Sequence, residues 1–66
     1  MTNFHEFTYS DCQNLWLLLD DQYDYSKSEK RAELKKLHPI NFALFCEYLS
    51  KNRGEVASDY IKQFFQ

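Results

Sequence analysis

Glycine and proline each occur once in this 66-residue chain, as Gly54 and Pro39. So little punctuation argues against the many-turned β folds, whose hairpins draw on both residues. It also excludes a glycine-rich phosphate loop, which needs several glycines within one turn. Cysteine is scarce too. Cys12 and Cys46 stand 34 residues apart, so there is no CxxC pair to hold zinc or to exchange disulfides. The histidines do not repair this: His5 lies seven residues from Cys12 and His38 eight from Cys46, whereas ligand pairs come about two to five apart. No metal and no cofactor is expected.

Long apolar runs are missing as well. The longest, Leu15 to Leu19, is far short of the roughly 20 residues that cross a bilayer. The opening MTNFHEFTYSDC has neither the basic nor the apolar stretch of a targeting segment. These absences lead us to expect a single-domain cytoplasmic protein over residues 1–66, with reduced thiols buried as small apolar side chains and no membrane contact. Catalytic groupings are lacking too: the thiols fall on apolar faces, where burial makes them inert, and no Ser/His/Asp or Cys/His pairing can be placed. The chain is expected not to be an enzyme, and no small-molecule substrate suggests itself.

What the chain has in quantity is aromatic area. Six Phe, five Tyr and Trp16 make up 18 % of the residues. A chain this short buries little of its surface, and bulky aromatics are one way to build a sufficient core; they are also over-used at interfaces. The formal charge of −2 hides a segregation. Residues 1–25 carry Glu6, Asp11, Asp20, Asp21 and Asp24 with no Lys or Arg, whereas residues 26–38 carry Lys27, Lys30, Arg31, Lys35 and Lys36 against Glu29 and Glu33. The remaining residues balance. An acidic block is thus followed by a basic block and a neutral one.

The apolar spacing predicts an all-α protein, a compact bundle of three or four short helices with an irregular N-terminal arm. In NFHEF, Phe4 and Phe7 are expected to fold back on the core. Ser10 with Gln13 suggests a capping box for the first helix, and Thr8 with Asp11 is a second possible start. Cys12, Leu15, Trp16, Leu19 and Tyr23 share one face of it; Leu18 and Tyr25 share another, and Leu17 lies off both. The second helix opens at Ser26 or Ser28, with Ser26 and Glu29 forming a box. It holds only Ala32, Leu34 and Leu37 as apolar residues, so it should touch the core lightly. Pro39 stops it. The third helix runs from Pro39 or Ile40 to Asn52, with Phe42, Phe45, Cys46 and Leu49 on one face and Ile40, Leu44 and Tyr48 on another. Gly54 ends it in the left-handed conformation. A last amphipathic helix is expected over 55–65, with Val56, Ala57, Tyr60, Ile61 and Phe64 as its stripe.

KRAELKKLHPINFALFCEYL has the outline of a helix-turn-helix, but its second helix offers Phe42, Leu44, Phe45, Tyr48 and Leu49 where base recognition needs polar side chains. The corner therefore reads as a helical hairpin. The function expected first is a small non-enzymatic protein–protein interaction module, a regulatory or inhibitory accessory protein that acts as a homodimer or on a partner protein. Leu17, Leu18, Tyr25, Phe64 and Phe65 are its expected interface, and Asp20, Asp21 and Asp24 its expected acidic contact. The alternative is a nucleic-acid-associated regulator that places Lys27, Lys30, Arg31, Lys35 and Lys36, on the basic helix 27–37, against phosphates. A third reading is an acidic mimic of nucleic acid built on Asp11, Asp20, Asp21 and Asp24. A solvated helix face accounts for either charge run without any partner.

Overall fold

A computed structural model describes residues 4–20 and 24–66; Asp21 and Tyr23, assigned above to the acidic contact and to the first helix face, lie outside the described residues. Among those described there are four helices and no strand: α1 (Tyr9–Leu19), α2 (Lys27–Lys35), α3 (Pro39–Asn52) and α4 (Ala57–Lys62). The fold is a compact all-α bundle, with a Cα radius of gyration of 11.6 Å. Central to it is α3, which packs against α1 and α4. Among the described residues no helix is long and apolar enough to cross a membrane.

The caps show why the helices begin where they do. Thr8, not Ser10, starts α1: its hydroxyl accepts the Asp11 N–H at 3.2 Å while the Asp11 carboxylate accepts the Thr8 N–H at 2.9 Å. A start at Ser10 would have offered the neutral Gln13. The Thr8 start sets an anion against the positive helix pole and makes its bonds charge-assisted. In α2 the Ser26–Glu29 box forms as the sequence indicates. His38 caps α3, its Nδ1 accepting the Ile40 N–H at 3.1 Å, and Pro39 occupies the first turn, where its missing N–H leaves no bond unmade. At the other end Gly54 takes φ +64°, and the N–H groups of Arg53 and Glu55 both return to the Leu49 carbonyl.

The core is small and aromatic. Phe45 and Leu49 of α3 are wholly buried, joined by Cys12, Leu15 and Leu19 of α1, Leu34 of α2, Tyr48 of α3, and Tyr60 and Phe64 from the C-terminal part. The ring of Tyr48 stacks on Phe45 at 6.3 Å and meets the edge of Tyr9 at 5.4 Å; Tyr60 and Phe64 meet edge to face at 5.5 Å. The buried stripe of α3 is Asn41, Phe45, Tyr48 and Leu49, rotated from the expected one: Phe42 and Cys46 are half-buried and Ile40 is exposed. The last helix is shorter than expected. After Lys62 the chain tightens, with Phe64 bonding back to Ile61 and Phe65 to Lys62, three residues rather than four. Val56, expected in the stripe, stands exposed at its start.

Candidate functional site

The expected interface is only partly on the surface. Tyr25 and Phe65 are exposed, Leu17 and Leu18 are half-buried with Leu18 packed against the core, and Phe64 is 6 % exposed. The surface position expected for Phe64 is therefore corrected: its edge-to-face contact with Tyr60 closes the bundle under the C-terminal turn. Tyr25 and Phe64 nevertheless meet across a shallow hollow, which Lys27, Lys30 and Gln63 complete.

Burial also withdraws one of the five basic residues of α2 and its end. Lys30 is 7 % exposed, one turn before the buried Leu34, so its stem belongs to the packed face of α2 and not to a phosphate-facing one. The others are engaged to differing degrees. Lys27 donates its Nζ hydrogen to the Gln66 carbonyl at 2.8 Å, Lys35 lies 6.0 Å from the Phe65 ring, and Lys36 pairs with Glu33 at 3.0 Å. Arg31 is half-buried. The row Lys27–Arg31–Lys35 thus runs along the C-terminal segment, and two of its members already contact it.

The acidic block divides as well. Asp20 and Asp24 are exposed, while Asp11 accepts from the Thr8 N–H, the Thr8 hydroxyl and His5 Nε2, the last at 2.9 Å. These hydrogen bonds, that of the Thr8 backbone foremost, hold its carboxyl below the ordinary carboxylate range. Asp11 therefore serves the helix start. Burial pushes the thiols of Cys12 and Cys46 up, and both are free. Among the described residues no three His, Cys, Asp or Glu side chains converge into a metal-holding group.

The best-built polar site is one the sequence reading missed. Asn41 is 6 % exposed, and its side chain grips the backbone of the N-terminal arm at two points. Its Oδ1 accepts the Phe7 N–H at 2.8 Å and its Nδ2 donates to the His5 carbonyl at 2.8 Å. A single amide so supplies one acceptor and one donor to an extended segment, as the edge of a sheet would. Phe7 packs against the core, whereas Phe4 lands on the His38 ring, with ring centres 4.2 Å apart. The arm borders a hollow of about 420 Å³ whose walls include Leu15, Glu33, Lys36 and Leu37. Asn41 carried a legible signal: stepping back one turn from Phe45 along the 45, 48, 49 stripe lands on it.

No protein-family description matches the chain, and comparison with curated proteins and with solved structures finds no match.

Proposed function

We propose that the protein is a small non-enzymatic protein–protein interaction module, an accessory regulator or inhibitor that works by self-association or by covering a partner protein. The observation that carries this reading is apolar surplus. Beyond a filled core, Phe4, Tyr9, Tyr25, Ile40, Val56 and Phe65 remain 38–63 % exposed. Single exposed apolar side chains are ordinary, and it is where they gather that they mark a contact surface.

Within the surplus, Tyr25 and Phe65 flank the C-terminal segment together with Lys27 and Lys35. Aromatic rings edged by cations suit a contact whose centre is apolar and whose rim is acidic. The exposed Asp20 and Asp24 of a second copy have the matching charge. Self-association is accordingly the first form of the reading, since it would also relieve the marginal stability of a small core.

The test compares the molar mass of the wild type with that of Tyr25→Glu and Phe65→Glu across protein concentration, at low and high salt. The reading expects association that survives salt and weakens in at least one variant while the helical content stays unchanged. Wild-type association that vanishes at high salt, or that depends on added nucleic acid, overturns it.

A further inference from the structure

We infer that the face of α2 carrying Lys27, Arg31 and Lys35 docks an acidic helix of another protein, whose carboxylates, one turn apart, lie against the three cations. The inference rests on the partner-covering form of the reading above and names the chemistry of that partner.

Three observations combine. The first is a row of cations that the fold leaves uncompensated. Lys27, Arg31 and Lys35 recur every four residues within α2. They therefore share one face and stand about 6 Å apart along the helix axis. Neither carboxylate of that helix serves them. Glu29 bonds the Ser26 N–H in the cap, and Glu33 pairs with Lys36 at 3.0 Å. Among the described residues no carboxylate pairs with any of the three.

The second is that the contacts the row does make leave its donors largely unspent. Lys27 gives one hydrogen to the Gln66 main-chain oxygen at 2.8 Å, and an ammonium carries three. Lys35 lies 6.0 Å from the Phe65 ring, a contact that spends none of its hydrogens. Phe65 is itself exposed, and the exposed Tyr25 borders the same hollow as Lys27. Apolar rings thus stand beside the row. A helix with an acidic stripe next to an apolar one covers both.

The third is that this chain has no such helix to offer. Asp11 of α1 is held in its cap, Glu29 and Glu33 of α2 are engaged, and Glu47 of α3 pairs with Lys51 at 3.2 Å. In α4 Asp59 stands alone. Asp20 caps the end of α1 and Asp24 lies outside any helix, so they match the row in sign but not in spacing. The complement therefore comes from a different protein. Nucleic acid is disfavoured by number: with Lys30 buried and Lys36 paired, three cations remain on a chain of formal charge −2. Binding to a polyanion draws on many more phosphate contacts.

The experiment uses the full wild-type chain and two synthetic helical peptides of equal composition. One carries Glu at every fourth residue beside a leucine stripe; the other has the same residues in scrambled order. Titration calorimetry measures both, with single-stranded oligothymidylate as a third probe. The ordered peptide is expected to bind roughly tenfold more tightly than the scrambled one or better. Lys35→Glu is expected to weaken that binding roughly tenfold or more, whereas Lys36→Glu, the same change of charge one residue off the row, leaves it within about twofold. Equal affinity for the two peptides, or equal loss in the two variants, shows attraction by bulk charge and overturns the inference. Failure of both peptides to bind overturns it too, while the molar mass of the wild type in the same samples decides self-association separately. Tighter uptake of the oligonucleotide than of the ordered peptide overturns it in favour of nucleic acid.

Discussion

Replacing Asn41 by alanine probes the amide that holds the N-terminal arm on α3. The change deletes two neutral hydrogen bonds of 2.8 Å, each worth about 1 kcal/mol net. The His5 carbonyl lies on an exposed residue and can turn to water, so its share is the smaller; Phe7 is half-buried, and its N–H loses its partner where water enters less freely. The truncated amide also leaves space on the buried stripe of α3. Together these amount to roughly 2 kcal/mol, or roughly 8–16 °C in the melting temperature of a domain this small. Circular dichroism at 222 nm follows the global loss, and amide exchange at Phe7 reports the local one. The reasoning predicts that Asn41→Ala lowers the melting temperature into that range and that the Phe7 amide exchanges near the unprotected rate. Asn41→Asp keeps the acceptor for Phe7 but sets a carboxylate against the His5 carbonyl, and should recover Phe7 protection only in part. A melting temperature within about 2 °C of wild type, with the Phe7 amide still protected, would refute the clamp.

Other parts of the structure give equally direct expectations. Phe45 is wholly buried, so Phe45→Ala should remove about 3–5 kcal/mol, comparable to what a single core of this size supplies, and leave the chain largely unfolded by circular dichroism at room temperature. Asp11 and Glu29 both sit below the ordinary carboxylate range, chiefly because the backbone N–H groups of Thr8 and Ser26 bond their charged forms. Groups with lowered folded pKa contribute stability that is complete above the unfolded value and lost as pH falls through the folded one. Melting temperature should hold above about pH 5 and decline below about pH 4, and Asp11→Asn with Glu29→Gln should flatten that decline. Arg53 lies 4.3 Å from the ring centre of Trp16, the single tryptophan; Arg53→Ala should cost about 1 kcal/mol and move the emission to the red as water reaches the ring. Unchanged emission would show that the guanidinium does not cover it.

Much of the architecture follows from features that can be read in one dimension. Apolar residues at three- and four-residue spacing locate every helix, and Ser26 with Glu29, Pro39 and Gly54 mark boundaries that the structure keeps. Two residues show position on a face prevailing over residue type. Lys30, expected as a phosphate contact, and Asn41, to which the sequence assigned no role, each stand one turn before a buried apolar residue, Leu34 and Phe45, and both are buried. The shortened last helix has a different origin. Nothing in the sequence marks the tightened turn after Lys62 that brings Phe64 inward, because only packing against the rest of the bundle decides it. Charge segregation is plain in the sequence, but which charges are occupied is not. Asp11 is taken by a cap, Lys27 by the Gln66 carbonyl and Lys36 by Glu33, and each of these depends on atoms that only folding brings together.

If the exposed apolar side chains serve contact with protein, the wild-type chain associates without help from nucleic acid. Sedimentation equilibrium of the wild-type chain over a wide concentration range, repeated at high salt and after nuclease treatment, tests it most directly. The expected result is a reversible shift from a species of 8.0 kDa toward twice that mass, unaffected by nuclease and little affected by salt. A single 8.0 kDa species at every concentration would contradict self-association, the first form of the claim. Association that disappears with nuclease would contradict the claim itself and favour the basic helix acting on nucleic acid.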